Sequence, residues 1–193
     1  MGWTSYTADH YKNNMVDRVK ECESILTSES ETGIKWQPLK ISAKGSTVYA
    51  AVKRTEPDGH FNIYAEVILT KVSMKHWDNF CYKEIDETSG PCERNCPVSI
   101  LKLLTPTDNE TANKWRNDCY LNAEMEATRR KDENALNNLP VGSTVEFHIG
   151  EETIRVTKIN VAYRKRPIWY DGFRYRYRPS LINGCGYTVI KRG

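Results

Sequence analysis

Thr47-Val-Tyr-Ala-Ala-Val-Lys-Arg-Thr-Glu-Pro-Asp-Gly-His-Phe-Asn-Ile-Tyr-Ala-Glu-Val-Ile-Leu-Thr70 is the stretch that decides the fold. Residues 47–55 and 61–70 are rich in β-branched and aromatic side chains, which suit a pleated, half-buried surface. Between them, Pro57-Asp58-Gly59 supplies a preset φ and then a residue tolerant of positive φ. That is hairpin chemistry, and it predicts two antiparallel strands. Residues 36–41 add a strand before the hairpin, and residues 3–7 a further short one.

Upstream, Val16, Val19, Cys22, Ile25 and Leu26 recur three or four apart and predict an amphipathic helix, with Asp17 and Glu21 near its start. Downstream, residues 77–97 read as irregular. Pro97 then opens a short helix over residues 97–104. Thr105-Pro106-Thr107-Asp108 reads as the capped start of another, running to about residue 130 with Ala112, Trp115, Cys119 and Ala123 on its inward stripe. Beyond a turn at 137–142, short strands are expected at 144–149, 152–159, 167–170, 173–178 and 187–190. The expected fold class is α+β: an antiparallel sheet with helices over residues 1–140, then a small basic β-barrel-like module over 141–193. The two pack either separately or as one domain.

The net charge of +3 conceals a segregation. Residues 76–140 carry 8 Lys/Arg against 12 Asp/Glu, whereas residues 141–193 carry 10 against 4. No apolar run approaches the ~20 residues of a membrane helix, and the N-terminus lacks the charge and apolar stretch of a secretory signal. A cytoplasmic protein is expected, with its six cysteines reduced.

The basic segment concentrates its cations among rings: Tyr163-Arg-Lys-Arg-Pro-Ile-Trp-Tyr-Asp-Gly-Phe-Arg-Tyr-Arg-Tyr-Arg178. Guanidinium groups neutralise phosphates and aromatic faces stack on bases. Arg164, Lys165, Arg166, Trp169, Arg174, Arg176 and Arg178 are therefore the candidate nucleic-acid contacts, for DNA or RNA. Period two would set Phe173, Tyr175 and Tyr177 on one strand face and the three late arginines on the other. A buried aromatic face beneath a solvated cationic one is the competing, purely structural reading.

A second candidate is catalytic. Cys96 precedes Pro97 at a helix start, where unpaired amides favour a thiolate. Lys83, Asp86 and Glu87 supply titratable groups nearby in sequence, although Asp86 and Glu87, as neighbours on a strand, would face opposite ways. As metal ligands, Cys92 and Cys96 have an acceptable spacing, with Cys81, Cys119 and His76 in the same region, but no second close pair completes a zinc set. No cofactor is expected.

Several motifs resemble a family of small proteins carried by plasmids, phages and conjugative elements of Gram-positive bacteria. They are Met1-Gly-Trp-Thr-Ser-Tyr6, Tyr11-Lys12, Asp17-Arg18, Tyr49-Ala-Ala-Val-Lys-Arg54, Tyr82-Lys83, Asp86-Glu-Thr88, Gly90-Pro91, Cys96-Pro97, Ile100-Leu101, Leu103-Leu-Thr-Pro-Thr-Asp-Asn109, Trp115-Arg116, Cys119 and Leu139-Pro140. The resemblance spans most of the first 140 residues and excludes Cys92. It implies a mobile-element accessory protein and transfers no active site. Such proteins often antagonise host defence, for example by binding a CRISPR nuclease. The expectation is a non-catalytic protein that binds nucleic acid or a nucleic-acid–protein complex; the alternative is a cysteine-dependent enzyme centred on Cys96, acting on a nucleotide or a protein.

Overall fold

The structure, a computed structural model, describes residues 2–73, 78–162 and 166–193. It is a mixed α/β chain with antiparallel sheets, and it divides into two compact units, residues 1–123 and 124–193. The division falls inside a long helix, not at the 137–142 turn.

The first unit holds β1 (Thr4–Thr7), β2 (Tyr11–Lys12), β3 (Met15–Val16), α1 (Arg18–Leu26), β4 (Ser28–Glu29), β5 (Lys35–Lys44), β6 (Thr47–Thr55), β7 (Phe61–Val72), β8 (Asn79–Asp86), α2 (Val98–Leu101) and the start of α3 (Glu110–Asn138). Six strands pair antiparallel in the order β1-β8-β7-β6-β5-β4. The β6–β7 hairpin forms as the sequence predicts: Thr55 opposes Phe61, the Glu56 amide donates to His60 O at 2.8 Å, and Gly59 sits at φ 89°.

Both faces of this sheet are covered, which accounts for the unbroken apolar run Val48–Val52. Val48, Ala50 and Val52 pack with Ile68 and Phe80 against Cys22 and Leu26 of α1. Tyr49 and Ala51 pack with Ala65 and Val67 against Cys96, Ile100, Leu101, Trp115 and Cys119 from the α2–α3 side. Asp17 caps α1, accepting from the Val19 and Lys20 amides. Glu21 is buried in the same layer, and both its oxygens have partners: Tyr6 Oη at 2.6 Å on one, the Asp9 and His10 amides on the other.

Three local expectations fail for identifiable reasons. Residues 79–86 are a central strand, because the apolar and aromatic side chains of β8 alternate against β7 and β1. Thr105 does not cap α3. It acts as an extra strand residue for β7, with its amide donating to Ile63 O at 2.9 Å and its hydroxyl accepting from the Ile63 amide at 3.1 Å. The cap is Asn109, whose side chain accepts from the Ala112 amide at 2.9 Å. Finally, α3 continues to Asn138, supported past residue 130 by Glu126–Arg130 and Arg129–Glu133 pairs one turn apart.

The second unit contains the end of α3, β9 (Thr144–Ile149), β10 (Glu152–Ile159), β11 (Ile168–Tyr170), β12 (Arg176–Tyr177), α4 (Pro179–Gly184) and β13 (Tyr187–Lys191). Its strands lie in the order β12-β11-β10-β9-β13 around a core of Leu136, Val145, Phe147, Val156, Trp169 and Ile182. Among the described residues no pairing joins β12 to β13, so the five strands form a sheet with two edges, and the expected barrel-like closure is not seen among them. Lys158 Nζ donates to the Asn137 and Leu139 carbonyls at 2.5 and 2.7 Å, satisfying acceptors at the C-terminal end of α3.

Candidate functional sites

The basic, aromatic segment is not the six-residue strand that its alternation suggests. Only Arg176 and Tyr177 are strand, and Tyr170 pairs with Arg176, leaving Asp171–Tyr175 as a five-residue loop. The cause is Asp171. Its carboxylate accepts from the amides of Phe173, Arg174 and Tyr175 at 2.9, 3.0 and 3.1 Å, while Gly172 takes φ 87°. Tyr170 Oη adds a bond to Phe173 O at 2.7 Å. Partial desolvation acts to raise the Asp171 carboxyl, but these amide bonds outweigh it and hold the group below its ordinary value.

The loop drives two rings into solvent: Phe173 is 91% exposed and Tyr175 58%. In the same segment Arg166, Arg174, Arg176 and Arg178 are all exposed. Arg166, Arg174 and Arg178 have no carboxylate within ion-pair distance among the described residues, and Arg174 lies 5.9 Å from the Tyr175 ring. A cleft of about 350 Å³ lies beside Arg176 and Arg178, lined also by Ile168 and Tyr177. Trp169 is a correction: it is 2% exposed and belongs to the core, because β11 turns it inward. Arg164 and Lys165 lie outside the described residues.

The proposed catalytic group does not assemble around a thiolate. Cys96 is 1% exposed within the apolar layer beneath α2, and its thiol makes a weak hydrogen bond to Pro97 O at 3.9 Å. Burial, with smaller contributions from Cys119 and Glu87, pushes its thiol well above the ordinary range. The four-residue α2 offers too short a dipole to offset that cost. Cys92 is exposed while Cys96 is buried, and the described residues bring no three His, Cys, Asp or Glu side chains together for a metal. His76 lies outside the described residues. Lys83 and Asp86, three apart on β8, take opposite sheet faces.

Asp86 and Glu87 do converge, on partners the sequence reading missed. β8 ends at Asp86 and a 3-10 turn begins at Glu87, so the two carboxylates escape the alternation of a strand. Both line a cleft of about 360 Å³ at the end of the sheet with Trp36, Arg54, Tyr64, Glu66 and Arg116. Arg116 holds Glu87 through two hydrogen bonds. Glu66 stands directly opposite Asp86 in the β7–β8 register. It is 7% exposed, and its Oε2 is buried with no hydrogen-bond partner, as is Arg54 Nε. Burial, reinforced by Glu84, Asp86 and Glu87, pushes the Glu66 carboxyl up to about 9. The signal was present in Tyr64-Ala-Glu-Val-Ile68, where one carboxylate interrupts an otherwise apolar central strand.

Comparison with known proteins finds no protein family that matches the chain, and no match among curated proteins or solved structures.

Proposed function

We propose that the protein is a non-catalytic binding protein whose second unit engages single-stranded nucleic acid. The observation that carries this reading is the exposure of Phe173 and Tyr175 on a loop held by Asp171, in a segment whose exposed Arg166, Arg174 and Arg178 have no carboxylate partner among the described residues. Exposed rings stack on unpaired bases, which a duplex conceals, and the surrounding arginines neutralise the backbone. The structural alternative, rings buried beneath a solvated cationic face, fits Tyr177 and Trp169 but not Phe173 or Tyr175. In the mobile-element setting that the sequence resemblance implies, the strand would belong to a host-defence nucleoprotein such as a CRISPR nuclease.

The test is the salt dependence of binding to fluorescent single-stranded DNA and RNA oligonucleotides. A strand that contacts three arginines gives a log–log slope shallower by about 2 in the Arg166→Gln, Arg174→Gln, Arg178→Gln variant, at roughly 0.7 per phosphate. An unchanged slope, or absence of binding at low salt, overturns the proposal.

A further inference from the structure

Two buried carboxylates of the first unit receive opposite treatment. Glu21, 1% exposed, has hydrogen-bond donors on both oxygens, so this fold can satisfy an interior carboxylate where the group is structural. Glu66, 7% exposed, has a buried oxygen with no donor, and that side chain lines the sheet-end cleft. A native structure rarely carries an unmet interior acceptor without a use. Arg54 lines the same cleft, and its Nε is a buried donor with no acceptor, although its Nη2 pairs with Glu56 at 3.0 Å.

The charges facing Glu66 define what would fit. Glu84 and Asp86 approach it from β8 and Glu87 from the following turn; Tyr64 on β7, Arg54 on β6 and Arg116 on α3 line the same cleft. Arg116 is committed to Glu87 and Arg54 to Glu56. Among the described residues Glu66, Glu84 and Asp86 have no ion-pair partner, so the cleft is short of positive charge beside an empty acceptor. Trp36 supplies an aromatic wall, with the Arg54 guanidinium 6.0 Å from its ring. We infer that the cleft binds a small organic cation: a primary ammonium group donating to Glu66, with a neighbouring oxygen that accepts from Arg54, as at the amino end of an amino acid or peptide. The ammonium meets the orphan acceptor and relieves the carboxylate repulsion, while the oxygen meets the orphan donor. A site of about 360 Å³ suits a ligand of that size.

Glu66 is protonated before the ligand arrives and ionised beneath it, so binding releases a proton from its carboxyl to solvent. Titration calorimetry of the full chain with L-leucinamide tests this near pH 6, where the ammonium is fully charged, in two buffers of different ionisation enthalpy. Saturable binding is expected, with a heat that differs between the buffers. N-acetyl-L-leucinamide, the same molecule without the cation, is expected not to bind. Glu66→Gln should weaken leucinamide binding about tenfold or more and abolish the buffer dependence, while its cooperative melting verifies the fold. No leucinamide binding at millimolar concentration, equal binding of the acetylated compound, or unchanged affinity in Glu66→Gln would each overturn the inference.

Discussion

Arg116 grips Glu87 with two parallel hydrogen bonds, Nε to Oε2 at 2.7 Å and Nη2 to Oε1 at 2.5 Å, and the two side chains are only 12% and 2% exposed. Its remaining nitrogen Nη1 donates to Thr105 O at 2.7 Å. One guanidinium thus fastens the first turns of α3 to the end of β8 and to the segment that extends β7. Breaking such a pair leaves a buried charge uncompensated, so Arg116→Met or Glu87→Gln should cost about 3–5 kcal/mol. Removing both partners should cost less than the two single changes added together. Urea unfolding of the four proteins in this cycle measures it.

Glu66 makes stability depend on pH with an unusual sign. Its carboxyl titrates near 9 in the folded chain against an ordinary 4.5, so between those values the native state holds a proton the unfolded state has released. Stability therefore falls as pH rises through this window, by at most about 1.4 kcal/mol per unit from this group. Glu84 is raised by the same causes, burial first and Asp86 second, and acts in the same direction. Thermal melts at pH 5 and pH 8 should show a smaller loss in Glu66→Gln than in the parent chain. An identical loss would place the titrating group elsewhere.

Asp171 separates loop geometry from charge at the proposed nucleic-acid surface. Asp171→Ala removes the acceptor for three amides and raises the local positive charge. If cations alone mattered, binding to single-stranded DNA would tighten. Loss of ring positioning predicts the opposite, a several-fold weakening, since each stacked base contributes about 1–3 kcal/mol. Phe173→Ala with Tyr175→Ala should weaken binding further and leave the salt slope unchanged.

The thiols should divide by environment. Cys92 and Cys185 are exposed, whereas Cys22, Cys96 and Cys119 are buried. Burial pushes the Cys22 thiol up to about 12 and Cys119 to about 11. Titration with an aromatic disulfide at neutral pH should give two fast thiols, a slower one from the half-buried Cys81, and the three buried ones only after denaturation. Rapid loss of Cys96 in the native protein would restore the nucleophile reading.

What the sequence made legible was whatever rests on short-range chemistry. Pro57-Asp58-Gly59 located the hairpin because its φ preferences act within the turn. The Val16–Leu26 spacing located α1 because one helical face is buried. β8 escaped notice because its pattern becomes meaningful only with β7 and β1 on either side. Phe173–Arg178 misled because alternation was read without the amide-binding capacity of Asp171, which widens a two-residue turn into a five-residue loop. In the sheet-end cleft, Asp86 and Glu87 could be named, but their partners Arg54, Glu66 and Arg116 come from β6, β7 and α3, and only the tertiary fold unites them.

The amide clasp of Asp171 sets the loop's shape before any partner arrives. A strand landing on Phe173 and Tyr175 meets rings already extended, so association need not freeze a floppy segment and loses little chain entropy. On the proposed reading, encounter on this surface is governed by diffusion and charge attraction, quick to form and quick to reverse.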